Sequence, residues 1–101
     1  MVEVVWTKKA LSQLERAVKY IQEEQGTSYA EIVMSRILDA TESLENAPHM
    51  GTVEPLLVHK KSNYRFLVVW SYKIIYRTTK TKAIISRVFH TSRNPKRLKG
   101  I

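Results

Sequence analysis

The chain has 101 residues, 44% of them hydrophobic and 26% charged, with three Gly, three Pro and no Cys. That is the size and composition of one small folded domain, 1–101, and it excludes a multidomain enzyme, a disulfide-stapled scaffold, a thiol-redox centre and a zinc ribbon. The formal charge of +8 is unevenly placed: residues 1–50 hold five basic and eight acidic side chains, net −3, whereas residues 51–101 hold twelve basic and one acidic, net +11. So concentrated a positive charge suits an acidic or polyanionic partner.

In chain order, Val2 to Trp6 is a β-branched run that reads as an opening strand, with Thr7 as N-cap of the helix that follows. Leu11, Leu14, Val18 and Ile21 recur at helical spacing and define its apolar face. Gly26 ends it, and Ser28 to Glu31 has the form of a capping box opening a second helix with Val33, Ile37, Ala40 and Leu44 on one face. Pro48 and Gly51 place the end of that helix near Asn46 to Ala47. Leu56 to His59 reads as a short edge strand. Tyr64–Trp70, Tyr72–Thr78 and Ala83–Phe89 are three strand-like runs with connections short enough for an antiparallel meander. The predicted fold is α+β: an N-terminal strand and an antiparallel helical hairpin packed on an antiparallel β-sheet, in the order β-α-α-β-β-β, followed by a basic tail over 91–101. No run reaches the roughly 18 apolar residues of a membrane span, and Met1 to Thr7 lacks the features of a signal peptide, so the expected location is the cytoplasm.

Alternation assigns candidate functional residues to faces. Tyr72, Ile74 and Tyr76 belong to the helix side, leaving Lys73 and Arg77 on a free outer face, where Arg65 is expected to join them. Arg87 and His90 fall on opposite sides, so His90 is placed at the strand end, from which it can reach the site. Lys60 and Lys61 before the sheet, and Arg93, Lys96, Arg97 and Lys99 in the tail, extend a positive field suited to target binding. Metal-independent RNA cleavage needs a base near the 2′-OH, cations around the phosphate and an acid for the leaving oxygen. His90, Lys73, Arg65 and Arg77 fit those roles, but Glu54 is the only carboxylate after residue 50. The three His, at 49, 59 and 90, have no metal-ligand spacing, and no metal or other cofactor is expected. Trp6 and Trp70 read as packing residues.

Four segments carry a family resemblance: Val5-Trp-Thr-Lys-Lys-Ala-Leu11 with Leu14; Pro48-His-Met-Gly51; Tyr64 through Arg77; and Ile84-Ile-Ser-Arg-Val-Phe-His-Thr-Ser-Arg-Asn-Pro95. In them the chain resembles the RelE/ParE superfamily of bacterial type II toxins, also called plasmid stabilisation proteins. The resemblance implies the toxin of an addiction module, held inactive by a small acidic antitoxin from a neighbouring gene. RelE-like members cut mRNA in the ribosomal A site, and ParE-like members poison DNA gyrase. Lys73 stands where RelE-like nucleases usually carry a phosphate-binding Arg, and keeps the charge without the bidentate fork. His90 matches the position of a catalytic His in some nucleases, but Thr91 replaces the Tyr often found beside it. Arg93 and Asn94 stand where ParE-like members tend to have a basic residue followed by Asp. These departures favour the ParE-like branch, with a ribosome-dependent endoribonuclease or a non-toxic nucleic-acid-binding module as alternatives. A homodimer is left open.

Overall fold

The computed structural model describes residues 1–58, 60 and 63–92. Strand β1 (Glu3–Trp6) leads into helices α1 (Lys8–Gln25) and α2 (Thr27–Glu42), extended by a 3-10 turn at Ser43–Glu45. A two-residue strand β2 (Thr52–Val53) and a second 3-10 turn (Pro55–Leu57) precede β3 (Asn63–Val69), β4 (Tyr72–Thr78) and β5 (Lys82–His90). The sheet order is β1-β5-β4-β3-β2. The meander is antiparallel as expected, but β1 joins β5 in parallel, from Glu3 opposite Lys82 to Trp6 opposite Ile85, so the five-stranded sheet is mixed.

Thr7 caps α1 through its side-chain oxygen, which accepts the Ala10 N–H at 3.1 Å. The buried line of this helix is Ala10, Leu14 and Ile21, while Leu11 turns partly to solvent. Gly26 alone separates the helices. Its φ of 94° reverses the chain within one residue, so Thr27 and Ser28 already lie in α2 and the expected Ser28 capping box does not form. The carbonyl of Gly26 accepts the Ala30 N–H instead. Ala30, Val33, Ile37 and Leu44 pack onto Tyr72, Ile74, Tyr76, Ala83, Ile85 and Val88 of the sheet, forming the main core. Each large side chain buried there contributes about 1.5–3 kcal/mol before the entropy of ordering it is subtracted.

The outer face is not free along its whole length. Ile75 is fully buried against Leu57, with Tyr64, Phe66 and Phe89 around them. The segment from Pro55 to Leu57 is therefore a 3-10 turn laid over the sheet, where an edge strand over Leu56–His59 was expected; Val58 follows in a turn, and His59 lies outside the described residues. Pro55 pre-sets the first turn position, and the Glu54 side chain accepts the Leu56 N–H. Trp70, in the two-residue connection between β3 and β4, has a φ of +56°, which costs a non-glycine residue about 1–3 kcal/mol. An edge-to-face contact with Tyr29 of α2, with centroids 5.2 Å apart, holds that tip to the helices.

Candidate functional site

The cationic residues named from the sequence fall in three separate environments. The first is the outer sheet face. Lys73 lies between Val68 and Phe89 in register, with Nζ 2.6 Å from Glu54 Oε2 and 4.2 Å from the centre of the Phe66 ring. Glu54 is 1% exposed, its second oxygen accepting the Leu56 N–H at 3.3 Å. A carboxylate this buried requires a charged partner, and Lys73 supplies it. The lysine that alternation assigned to open solvent is thus paired, 21% exposed, and largely neutralised as an anion receptor. Arg77, opposite Tyr64, and Arg87, opposite Ile75, share this face; Arg87 Nη1 donates to the Ser86 carbonyl at 2.7 Å. Lys60 is exposed nearby in sequence, after the Pro55–Leu57 turn. Glu54 escaped the assignment of roles, although its being the only acidic residue in the positive half was a usable signal.

Arg65 occupies the second environment. The register sets it opposite Tyr76, on the helix side of the sheet, not on the outer face where it was expected. Its Nη1 donates to the Gly51 carbonyl at 2.8 Å. The Tyr76 hydroxyl donates to the Pro48 carbonyl at 2.8 Å and accepts the Gly51 N–H at 3.0 Å. A Cβ on Gly51 would meet that hydroxyl at 2.6 Å and the Phe66 carbonyl at 2.8 Å, so only glycine fits. Burial pushes the Tyr76 hydroxyl above its usual range, opposed by the Gly51 N–H and the Arg65 charge. The phenol stays protonated and can donate. Arg65 and Tyr76 together pin the 48–51 turn that leads into Glu54.

His90 defines the third environment. It ends β5, as expected, but opposite Tyr72 and therefore on the helix side, away from Lys73. A bulge at Ser86, between the pairs Ile75–Arg87 and Tyr76–Ile85, precedes both Arg87 and His90 and does not bring them together. The rings of His90 and Tyr72 meet edge to face at 5.5 Å. The Ser92 N–H donates to His90 Nδ1 at 3.1 Å, and the Ser92 hydroxyl lies 2.7 Å from the same nitrogen. Nδ1 is thereby an acceptor, which assigns the proton of the neutral ring to Nε2. His90 lines a cleft of about 500 Å3 between α1 and the end of β5, with Gln13, Arg16, Tyr20, Tyr72 and Ser92.

Lys61, Arg93, Lys96, Arg97 and Lys99 lie outside the described residues. No described helix is long and apolar enough to cross a membrane.

Two helices on one face of a five-stranded mixed sheet, with a basic second half, define the RelE/ParE class of α+β domain. Residues 4–95 match the family model of the ParE toxin of the type II toxin-antitoxin system parDE, and the chain belongs to that family. Its partner within such a system is an antitoxin. Among solved structures, the chain is similar to one from the chromosomal ParDE system of P. aeruginosa, with a TM-score of 0.74 at 20% identity, covering 89% of this chain and 96% of that one. It is also similar to the YoeB dimer from Staphylococcus aureus, with a TM-score of 0.54 at 13% identity, covering 88% and 97%. At these identities the likeness is one of fold. No curated protein matches the chain.

Proposed function

We propose that this ParE-family toxin arrests growth by binding DNA gyrase or its DNA complex, without cutting a bond itself. The observation that carries this reading is the separation of the would-be nuclease residues. Lys73 is held by Glu54 on the outer face, Arg65 is committed to Gly51, and His90 lies on the helix side with Nδ1 occupied by Ser92. Concerted proton transfer at one phosphate requires groups within hydrogen-bond reach of the same reacting atoms. A neutral imidazole that uses Nδ1 as acceptor and carries its proton on Nε2 has no free basic nitrogen. Target binding then falls to the exposed cation Lys60 and to Lys61, Arg93, Lys96, Arg97 and Lys99, as long-range attraction to an anionic surface requires.

One observation favours ribosome-dependent RNA cleavage as the second reading: Glu54 supplies, beside Lys73, the carboxylate that such chemistry needs. The two readings separate in a pair of assays on the purified chain. Inhibition of gyrase supercoiling, relieved as salt is raised, with programmed ribosomes leaving their mRNA intact, is the expected result. Cleaved mRNA with unaffected supercoiling would overturn it.

A further inference from the structure

We propose that Trp70, at the tip of the β3–β4 hairpin, is a stacking platform for one base of an unpaired nucleic-acid strand, whose phosphates are drawn by the cations of the surrounding sequence. The proposal goes beyond the toxin reading and does not depend on which target the toxin engages.

The chain uses its two tryptophans differently, although both were expected to pack. Trp6 lies against the main core, whereas Trp70 belongs to neither apolar cluster and is 49% exposed. Among the described residues Trp70 is the one non-glycine side chain held at positive φ, a conformation that glycine or asparagine adopts at lower cost. An indole at this position neither relaxes the turn nor fills the core, so what it contributes is the surface it turns outward. The edge-to-face contact with Tyr29 fixes the ring without covering it, and Val68, two residues earlier on β3, is exposed as well. A ring immobilised before binding loses little entropy when a flat partner stacks on it.

Charge decides what stacks there. No Asp or Glu follows Glu54 in the chain, and Glu54 is itself buried against Lys73, so the hairpin belongs to a stretch of one sign. The Thr91 N–H donates to the Ser71 carbonyl at 2.8 Å, which sets Thr91 beside the tip, and Arg93, Lys96, Arg97 and Lys99 follow in sequence. An unpaired nucleotide joins the two features that this surface matches, a free π-face and an anionic link to the next nucleotide. A duplex keeps its base faces within the stack, and a carboxylate-rich peptide brings the charge without the ring.

The test follows the intrinsic fluorescence of the full chain during titration with an oligothymidylate and with an oligouridylate, each about twelve nucleotides long. Quenching is expected on binding, retained in Trp6→Phe and lost in Trp70→Gly, a substitution that also lets the turn relax. By anisotropy of a labelled strand, Trp70→Gly is expected to weaken binding about ten-fold and Trp70→Phe to keep most of it. A preference for thymidylate or for uridylate keeps the proposal and assigns the strand to DNA or to RNA. Absence of quenching, quenching that survives in Trp70→Gly, unchanged affinity of a folded Trp70→Gly chain, or equal Trp70-dependent binding of a blunt duplex would each overturn it. So would a polyglutamate that quenches Trp70 when the strands do not, since the tip would then be a protein contact. Growth arrest is a separate readout: a non-toxic chain that binds the strands keeps this proposal and loses the toxin reading, and a toxic chain that does not bind them does the reverse.

Discussion

The two faces of the sheet use charge in opposite ways. On the outer face the cation nearest the centre, Lys73, is spent on a buried carboxylate, and a small apolar cluster around Ile75 and Leu57 closes over part of the surface. On the helix side, at the end of β5, Arg16 and His90 line a cleft that has no acidic side chain among the described residues of its lining. Positive residues in a sheet therefore do not by themselves mark a working face; what matters is whether each has been neutralised from within. By that measure Lys73 is a structural cation of the outer face, held by Glu54.

The contrast can be broken most severely at the ion pair. Removing Lys73 strands a fully buried carboxylate, whereas removing the Glu54 charge leaves a lysine that can still reach water. Lys73→Met is expected to cost about 3–5 kcal/mol of unfolding free energy and Glu54→Gln about 1–3 kcal/mol, measured by denaturant unfolding at neutral pH. Equal and small losses would mean that the pair is a surface contact. Tyr76→Phe comes next. It leaves the Gly51 N–H and the Pro48 carbonyl without their partner, for an expected loss of about 1–3 kcal/mol.

The same hydroxyl sets a pH window. Because its folded value is raised, its contribution is complete below the unfolded value of about 10 and is lost as pH rises through the folded one. The Tyr76 hydroxyl is expected to ionise above the ordinary tyrosine range in a spectrophotometric titration, with stability falling as it does and with no such fall in Tyr76→Phe. The smallest effect belongs to the β5 edge: Gln13→Ala is expected to cost about 1 kcal/mol and to speed amide exchange at Val88 while leaving Ile74 and Ile75 protected. Unchanged exchange at Val88 would show that Gln13 is not its acceptor in solution.

Much of this was legible from residue patterns. The three long strands stand where alternation and β-branched runs put them, and Tyr72, Ile74 and Tyr76 face the helices while Lys73, Ile75 and Arg77 take the other side of the strand. Arg65 went to the wrong face because alternation within one strand says which residues share a side, not which side. Only its register opposite Tyr76 decides that. The parallel pairing of β1 was likewise out of reach, since its partner lies 79 residues ahead and no local pattern encodes direction. Gly26 was recognised as a breaker, but a single residue at positive φ sufficed to join the helices and the expected Ser28 capping box did not form. The environment of Lys73 depended on Glu54 folding back over the sheet through the Pro55 turn, a contact that spans 19 residues and leaves no periodic trace.

That the toxin acts by binding, not by cleaving, is tested most directly with His90→Ala, expressed in cells without an antitoxin beside the parent chain. Growth arrest and inhibition of gyrase supercoiling are expected to persist at the parental level, because the proposed binding mechanism gives His90 no proton to transfer. Loss of arrest by a variant that remains folded, together with mRNA cleavage by the parent chain alone, would contradict it.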